Sequence, residues 1–352
     1  MNERPDELRA AGAATDDRRH RLWGIKLRAL VAEHHGRQVL GEPQGFPSGA
    51  ALSDGDAAWV LVDGSAARSL GPALAWAIRH AATSLHLVVE RDSGLLARRA
   101  QRLAFPVTVW FPQDRTLLPV VEEPLSPSPA AAAEHLAFAP AIEAAGATVN
   151  VEHGVVVGEV RGLEVCRVVD TPTVGHVTDV GDLDAPGSAT TDGVLLEVGV
   201  GPNDREAFRL LHGDIPTVEA LAAVVDSVLA HRRAATIQHP LNRLGQERYL
   251  RWQLETDPSL VGMTTVTPRE PPQPRPNLKD SLPCVASGVD ADGQEWMLVC
   301  SVGVDVDLVG FVADVQATSN APIIVVLRER DAIGLTRELL DLLATPVEIR
   351  TV

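Results

Sequence analysis

Asp54-Gly55 with Trp59-Val60-Leu61-Val62, and Asp292-Gly293 with Trp296-Met297-Leu298-Val299, stand far apart in a chain of 352 residues and read nearly alike. The likeness continues downstream of each. After the first come Val88-Val89, Arg91-Asp92, a helical stretch from Leu95, and Leu103-Ala104-Phe105-Pro106-Val107. After the second come Val325-Val326, Arg330-Asp331, a helical stretch from Leu335, and Leu343-Ala344-Thr345-Pro346-Val347. Upstream, Arg21-Leu22 to Leu27-Arg28 matches Arg243-Leu244 to Leu250-Arg251. Two copies are too few for a solenoid, which needs about three or more stacked units. The pattern therefore reads as an internal duplication that yields two equivalent α/β units.

The elements follow from periodicity and punctuation. Ala58 to Val62 is a short apolar run between turn signals, as a buried strand requires. Leu70, Leu74, Ile78 and Ala81 recur near helical spacing behind Ser69. Strand, helix, strand, helix, strand with short links implies right-handed crossovers in a parallel or mixed sheet. The prolines at 119, 124, 127 and 129 mark a linker. Beyond it, 148–169 reads as strands turning at Arg161-Gly162, and 170–192 as a long loop leading into the strand that holds Glu197. The expected organisation is a tail over 1–17, an N-terminal α/β unit over 18–118, a middle α/β region over 130–235 and a C-terminal unit over 239–352. Leu22, Ile25, Leu27 and Leu30 are the expected core face of the first helix, and Trp59 and Trp296 equivalent buried anchors.

Composition excludes more than it identifies. The formal charge of −16 is a poor match for a polyanion, so nucleic acid is not the expected partner. Only Lys26 and Lys279 are lysines, and neither follows the Gly-rich turn of a P-loop. No apolar run is long enough to cross a membrane. The charged stretch Met1-Asn2-Glu3-Arg4-Pro5 does not read as a signal peptide, so the expected location is cytoplasmic. Cys166, Cys284 and Cys300 form no CxxC pair and read as small core residues.

The candidate chemistry lies in the middle region. Glu159 and Glu164 flank the Arg161-Gly162 turn, Glu197 follows on a strand, and Asp204 and His212 come next. Carboxylates on adjacent strands can share a divalent cation, which takes oxygen ligands. This gives a metal set of Glu164, Glu197 and Asp204, and a catalytic set of Glu159, Glu164 and Glu197 with His212 as general base. Capping explains the same segment without catalysis, with Asp204 at a helix start and His212 near its end. Glu197, between Leu196 and Val198, is the acid expected to be most desolvated, and it then needs as partner an arginine such as Arg167 or Arg205, or a metal.

The order helix, strand, hairpin, strand, helix resembles the core of restriction-endonuclease-like folds. That family pairs an acid on one strand with Glu/Asp-x-Lys on the next. Here Glu197-Val198-Gly199 has glycine, and Glu164-Val165-Cys166 cysteine, in place of the lysine, with Arg167 expected on the other face. The resemblance thus implies a fold without its chemistry. His239-Pro240-Leu241-Asn242-Arg243-Leu244-Gly245-Gln246-Glu247-Arg248 and Arg275-Pro276-Asn277-Leu278-Lys279-Asp280 are similar to segments of an uncharacterised family from high-GC bacteria, which implies no activity. The leading expectation is a non-enzymatic interaction or scaffold protein with a protein partner. The alternative is a metal-dependent hydrolase or nuclease that uses the middle-region carboxylates.

Overall fold

A computed structural model of the chain describes residues 4–170, 190–191, 193–201, 204–206, 217–232, 239–275 and 281–352. It is an α/β protein, with three sheets among the described residues. His212 and most of the 170–192 loop lie outside the described residues.

The N-terminal sheet has six strands in chain order: β1 (Gln44–Phe46), β2 (Gly49–Asp54), β3 (Ala57–Val62), β4 (Ser84–Val89), β5 (Val107–Gln113) and β6 (Thr116–Pro119). β1, β2 and β3 form an antiparallel meander, β3, β4 and β5 run parallel, and β6 turns back. The helices α1 (Arg4–His35), α2 (Leu70–Arg79) and α3 (Ser93–Ala100) accompany it. β3 and β4 are buried along almost their whole length, as strands covered on both faces must be. Helix α1 begins at Arg4 rather than near residue 18, because Glu7, Leu8, Arg9 and the alanines at 10, 11, 13 and 14 are good helix formers. Its inner face is Leu27, Leu30 and Val31, packed with Leu52, Trp59 and Val88. Leu22 and Ile25 lie exposed, off that stripe. Successive core contacts fall at 27, 30 and 31, and the same face passes through Gly24 and Trp23.

The C-terminal sheet runs β12 (Thr265–Arg269), β13 (Cys284–Val289), β14 (Glu295–Cys300), β15 (Ile323–Leu327) and β16 (Glu348–Thr351). β12, β13 and β14 are antiparallel, and β14, β15 and β16 parallel. Order and sense match β1 to β5. Between them in sequence comes an antiparallel sheet in the order β10 (Thr190–Thr191), β11 (Val194–Val198), β9 (Leu163–Asp170), β8 (Val155–Val160), β7 (Thr148–Glu152). Its core is closed by α5 (Ala139–Ala144) and α6 (Thr217–His231) through Ile142, Leu221, Val225 and Val228. The short α4 (Ala133–Leu136) precedes them.

Two compact units result. One holds 1–125, 304–320 and 332–347, and the other 126–303, 321–331 and 348–352. In the first, α8 (Leu308–Thr318) packs with α2 and α3, and α9 (Gly334–Leu340) with α2 and α8. Leu103 and Leu343, equivalent positions of the repeated sequence, pair as an antiparallel bridge. Ala104 N–H donates to the Leu342 carbonyl and Ala344 N–H to the Arg102 carbonyl, each at 2.8 Å. Among the described residues no helix is long and apolar enough to cross a membrane.

A candidate site occupied by arginines

The second unit places the sequence-predicted carboxylates on the middle sheet. Glu159, near the end of β8, is opposed directly by Glu164 on β9. Cross-strand partners share a face, so two like charges meet, which by itself is destabilising. Arginines resolve the conflict. The helix α7 (Gln246–Thr256) presents Arg248 and Arg251 three residues apart on its buried face. Arg248 Nη1 donates to Glu159 Oε1 at 2.6 Å and Arg251 Nη2 to Glu159 Oε2 at 3.0 Å. Both guanidiniums also bond Glu152 of β7, and Arg251 Nε lies 3.0 Å from Glu255.

Glu164 is held by three further arginines. Arg205 Nη1 donates at 2.7 Å, Arg167 Nε at 3.0 Å and Arg275 Nη2 at 3.2 Å. Strand alternation puts Glu164 and Arg167 on opposite faces, and the structure does not. The register shifts between Gly158 and Glu159: Gly158 pairs with Cys166 and Glu159 with Glu164. β9 therefore carries one extra residue, a bulge that turns Glu164 to the side of Arg167.

The electrostatics follow from this crowding. Burial opposes ionisation of Glu159, but Arg248, Arg251 and Arg275 outweigh it and hold its carboxyl at about 2. Burial likewise works against Glu164, and Arg167, Arg275 and Arg205 pull it below the usual range. Burial works against the charges of Arg248 and Arg251 too, and Glu159 and Glu152 raise both above ordinary arginine. Burial, with the Glu164 carboxylate nearby, pushes the Cys166 thiol up to about 12.

Glu197 is not the most desolvated acid. Its side chain is 32% exposed, against 1% for Glu164, and it meets Arg205 Nε at 3.2 Å. Burial alternates along β11, and Glu197 falls on its half-buried face. Asp204 is exposed, and its Oδ2 accepts the Val200 N–H at 2.6 Å, a local turn contact. Sequence reasoning thus found Glu159, Glu164 and Glu197, with Arg205 among the arginines expected beside Glu197, and missed Glu152, Arg248, Arg251 and Arg275 as their surroundings. A signal existed in α7, where Arg248 and Arg251 share the stripe of Leu250 and Leu254. Charged residues on an apolar helix face call for buried partners.

Space is the second constraint. The cavity beside Glu159, closed by Arg161, Arg251, Trp252 and Glu255, measures about 20 Å³. That admits about one water molecule. The Arg161-Gly162 turn, both residues in the left-handed region at φ 49° and 72°, sits against α7. A Cβ on Gly162 would strike the Arg248 carbonyl, so the glycine sets this close approach. Among the described residues no cluster of three or more His, Cys, Asp or Glu could hold a metal. Comparison of the chain with protein-family models, with curated proteins and with solved structures finds no match.

Proposed function

We propose that this chain is a non-enzymatic interaction or scaffold protein acting through a protein partner. The observation that carries the reading is the arginine partnership of the three strand carboxylates Glu159, Glu164 and Glu197, while Asp204 is turned to the Val200 N–H. Glu159 faces Arg248 and Arg251, Glu164 faces Arg167, Arg205 and Arg275, and Glu197 faces Arg205. A cation would have to displace guanidiniums that are themselves buried, at a cost of several kcal/mol per uncompensated charge. The acidic balance of −16 favours a protein over a nucleic acid as partner.

The same proposal holds the chain to be a duplicated unit whose ancestor resembled a restriction-endonuclease-like core. Its support is the shared order and sense of β1–β5 and β12–β16, and the reciprocal bridge of Leu103 and Leu343. Reciprocal contact between equivalent residues is the mark of a two-fold interface, here inside one chain. Calorimetric titration of the purified protein with Mg²⁺ and Mn²⁺, with an assay for phosphodiester hydrolysis, tests the reading. The expected result is no saturable heat and no turnover. Saturable Mn²⁺ binding that Glu164→Gln abolishes would establish the metal-dependent hydrolase instead.

A further inference from the structure

Two of the three cysteines are brought face to face by the C-terminal sheet. Cys284 is the first residue of β13 and Cys300 the last of β14, and the antiparallel register pairs them directly. Opposed residues of an antiparallel pair share one face, with Cα atoms about 4.5–5.5 Å apart. A disulfide spans Cα separations of about 4.4–6.8 Å. Both cysteines are free thiols, in the core that includes Leu250, Leu254 and Ile324. Cys166 lies in a different core, with Ile142 and Val165.

The repeated sequence makes this pairing a departure of the second copy. Trp59 pairs with Leu52, and Trp296 with Gly288. Four residues after each tryptophan and four before its partner, the first copy has Asp63 and Ser48, where the Asp63 N–H donates to the Ser48 carbonyl at 2.8 Å. The second copy has Cys300 and Cys284 at those places. One buried cysteine is a small core residue, but two in register can also exchange electrons.

Charge distinguishes the two thiols. Burial works against the charges of Arg248 and Arg251 of α7, and Cys284 joins Glu159 in raising both. The hydrogen bond with the Cys284 thiol, and burial, push the Cys300 thiol up, and Glu255 adds to this. The thiolate is the nucleophile towards oxidants, and guanidinium charge favours it. Cys284 is therefore the attacking sulfur and Cys300 the resolving one.

We propose that Cys284 and Cys300 form a reversible disulfide when the folded chain meets hydrogen peroxide, locking the open end of the β13–β14 hairpin. The Cys284 thiolate attacks one peroxide oxygen, the O–O bond breaks, and the departing hydroxide takes the thiol proton as water. Cys284 is then a sulfenic acid. The Cys300 sulfur attacks the Cys284 sulfur, the S–O bond breaks, and hydroxide leaves with the Cys300 proton as a second water. Two thiols are oxidised to one disulfide and one peroxide is reduced to two waters. The oxidant must be small, because Cys284 is 1% exposed and Cys300 0%. It enters at the strand ends, where pairing stops and local opening begins.

The test is peroxide treatment of the folded full chain, then unfolding, alkylation and peptide mapping by mass spectrometry. The expected product is a linked peptide pair holding Cys284 and Cys300, lighter by two hydrogens, with Cys166 alkylated. Dithiothreitol should restore both thiols. In Cys300→Ser, dimedone should label Cys284 as the trapped sulfenic acid, and in Cys284→Ser labelling of Cys300 should be about tenfold lower. The linked chain should melt about 5 °C above the reduced one, since the cross-link restricts the unfolded chain. Alkylation of all three cysteines after peroxide, sulfinic acid without a link, or linkage through Cys166 would overturn the proposal, and these outcomes are read on the parent chain. Equal labelling of the two variants would overturn the order of attack, and equal melting the locking of the hairpin.

Discussion

Glu159 shows how one residue can appear catalytic in sequence and act as a structural counter-ion. It is 5% exposed, and both its oxygens are taken by α7 arginines. Its carboxyl lies at about 2 in the folded chain against 4.5 for a free glutamate. A depressed carboxylate stabilises the fold above its unfolded value and loses that contribution as pH falls through the folded one. The window here is from about 4.5 down to about 2. The contribution is of order 3 kcal/mol. Glu159→Gln should therefore be less stable than the parent at pH 7, and the difference should shrink steadily below pH 4.5 in urea titrations. A difference that is constant with pH would contradict the assignment. The carboxylate itself was legible, since a glutamate beside a turn in a valine-rich hairpin is conspicuous. Its partners were not, because Arg248 and Arg251 are 89 and 92 residues away.

At the scale of the element, the repeated sequence gives two strands with the same neighbours and unequal environments. Trp59 on β3 is fully buried among α1 and its sheet, stacked on His86 at 4.1 Å. Trp296 on β14 packs on the corresponding face, against the core that includes Leu250 and Leu254, but is only half-buried. Two causes are visible. Helix α1 runs on to His34 and His35, whose rings close edge-on over Trp59 at 5.6 and 5.5 Å. The β13–β14 hairpin has a longer loop than β2–β3, and its Asp290 draws the Trp296 Nε1–H outward with a 2.9 Å bond. Equal losses on truncation are therefore not expected. Trp59→Ala should cost about 3–5 kcal/mol and Trp296→Ala roughly half of that, as read by thermal melts. Equal costs would mean that the two strands are equivalent in packing as well as in order.

For the whole molecule, the carboxylate at Asp314 on α8 shows how distant segments are bound into one unit. It is fully buried, with Arg98 Nη2 at 3.2 Å and Arg99 Nη2 at 2.9 Å, both from α3. These partners are 216 and 215 residues away in sequence, yet all three belong to the unit that holds the N-terminal sheet. Removing one partner of a buried ion pair strands the other, so Asp314→Ala should cost about 3–5 kcal/mol. Urea denaturation followed by Trp fluorescence measures this. A loss under about 1 kcal/mol would show that the pair is solvated, as surface pairs are.

Alternation and turn signals placed β3, β4, β8 and β9 and the Arg161-Gly162 turn, and repetition of Trp, Arg-Asp and Pro-Val anticipated that the first and last sheets share one strand order. These are local matters: side chains repeat at two or at about 3.6 residues, and turn residues act on their own backbone. The bulge that rotates Glu164, and which carboxylates the buried arginines of α7 would meet, had no local signature. Each depends on groups brought together by packing, such as Arg275 and Glu164, 111 residues apart. Charge in a sequence states only that a counter-charge is needed once the group is buried. Which residue supplies it is decided when the chain closes, because the cost of burial falls on whatever groups the fold has placed side by side.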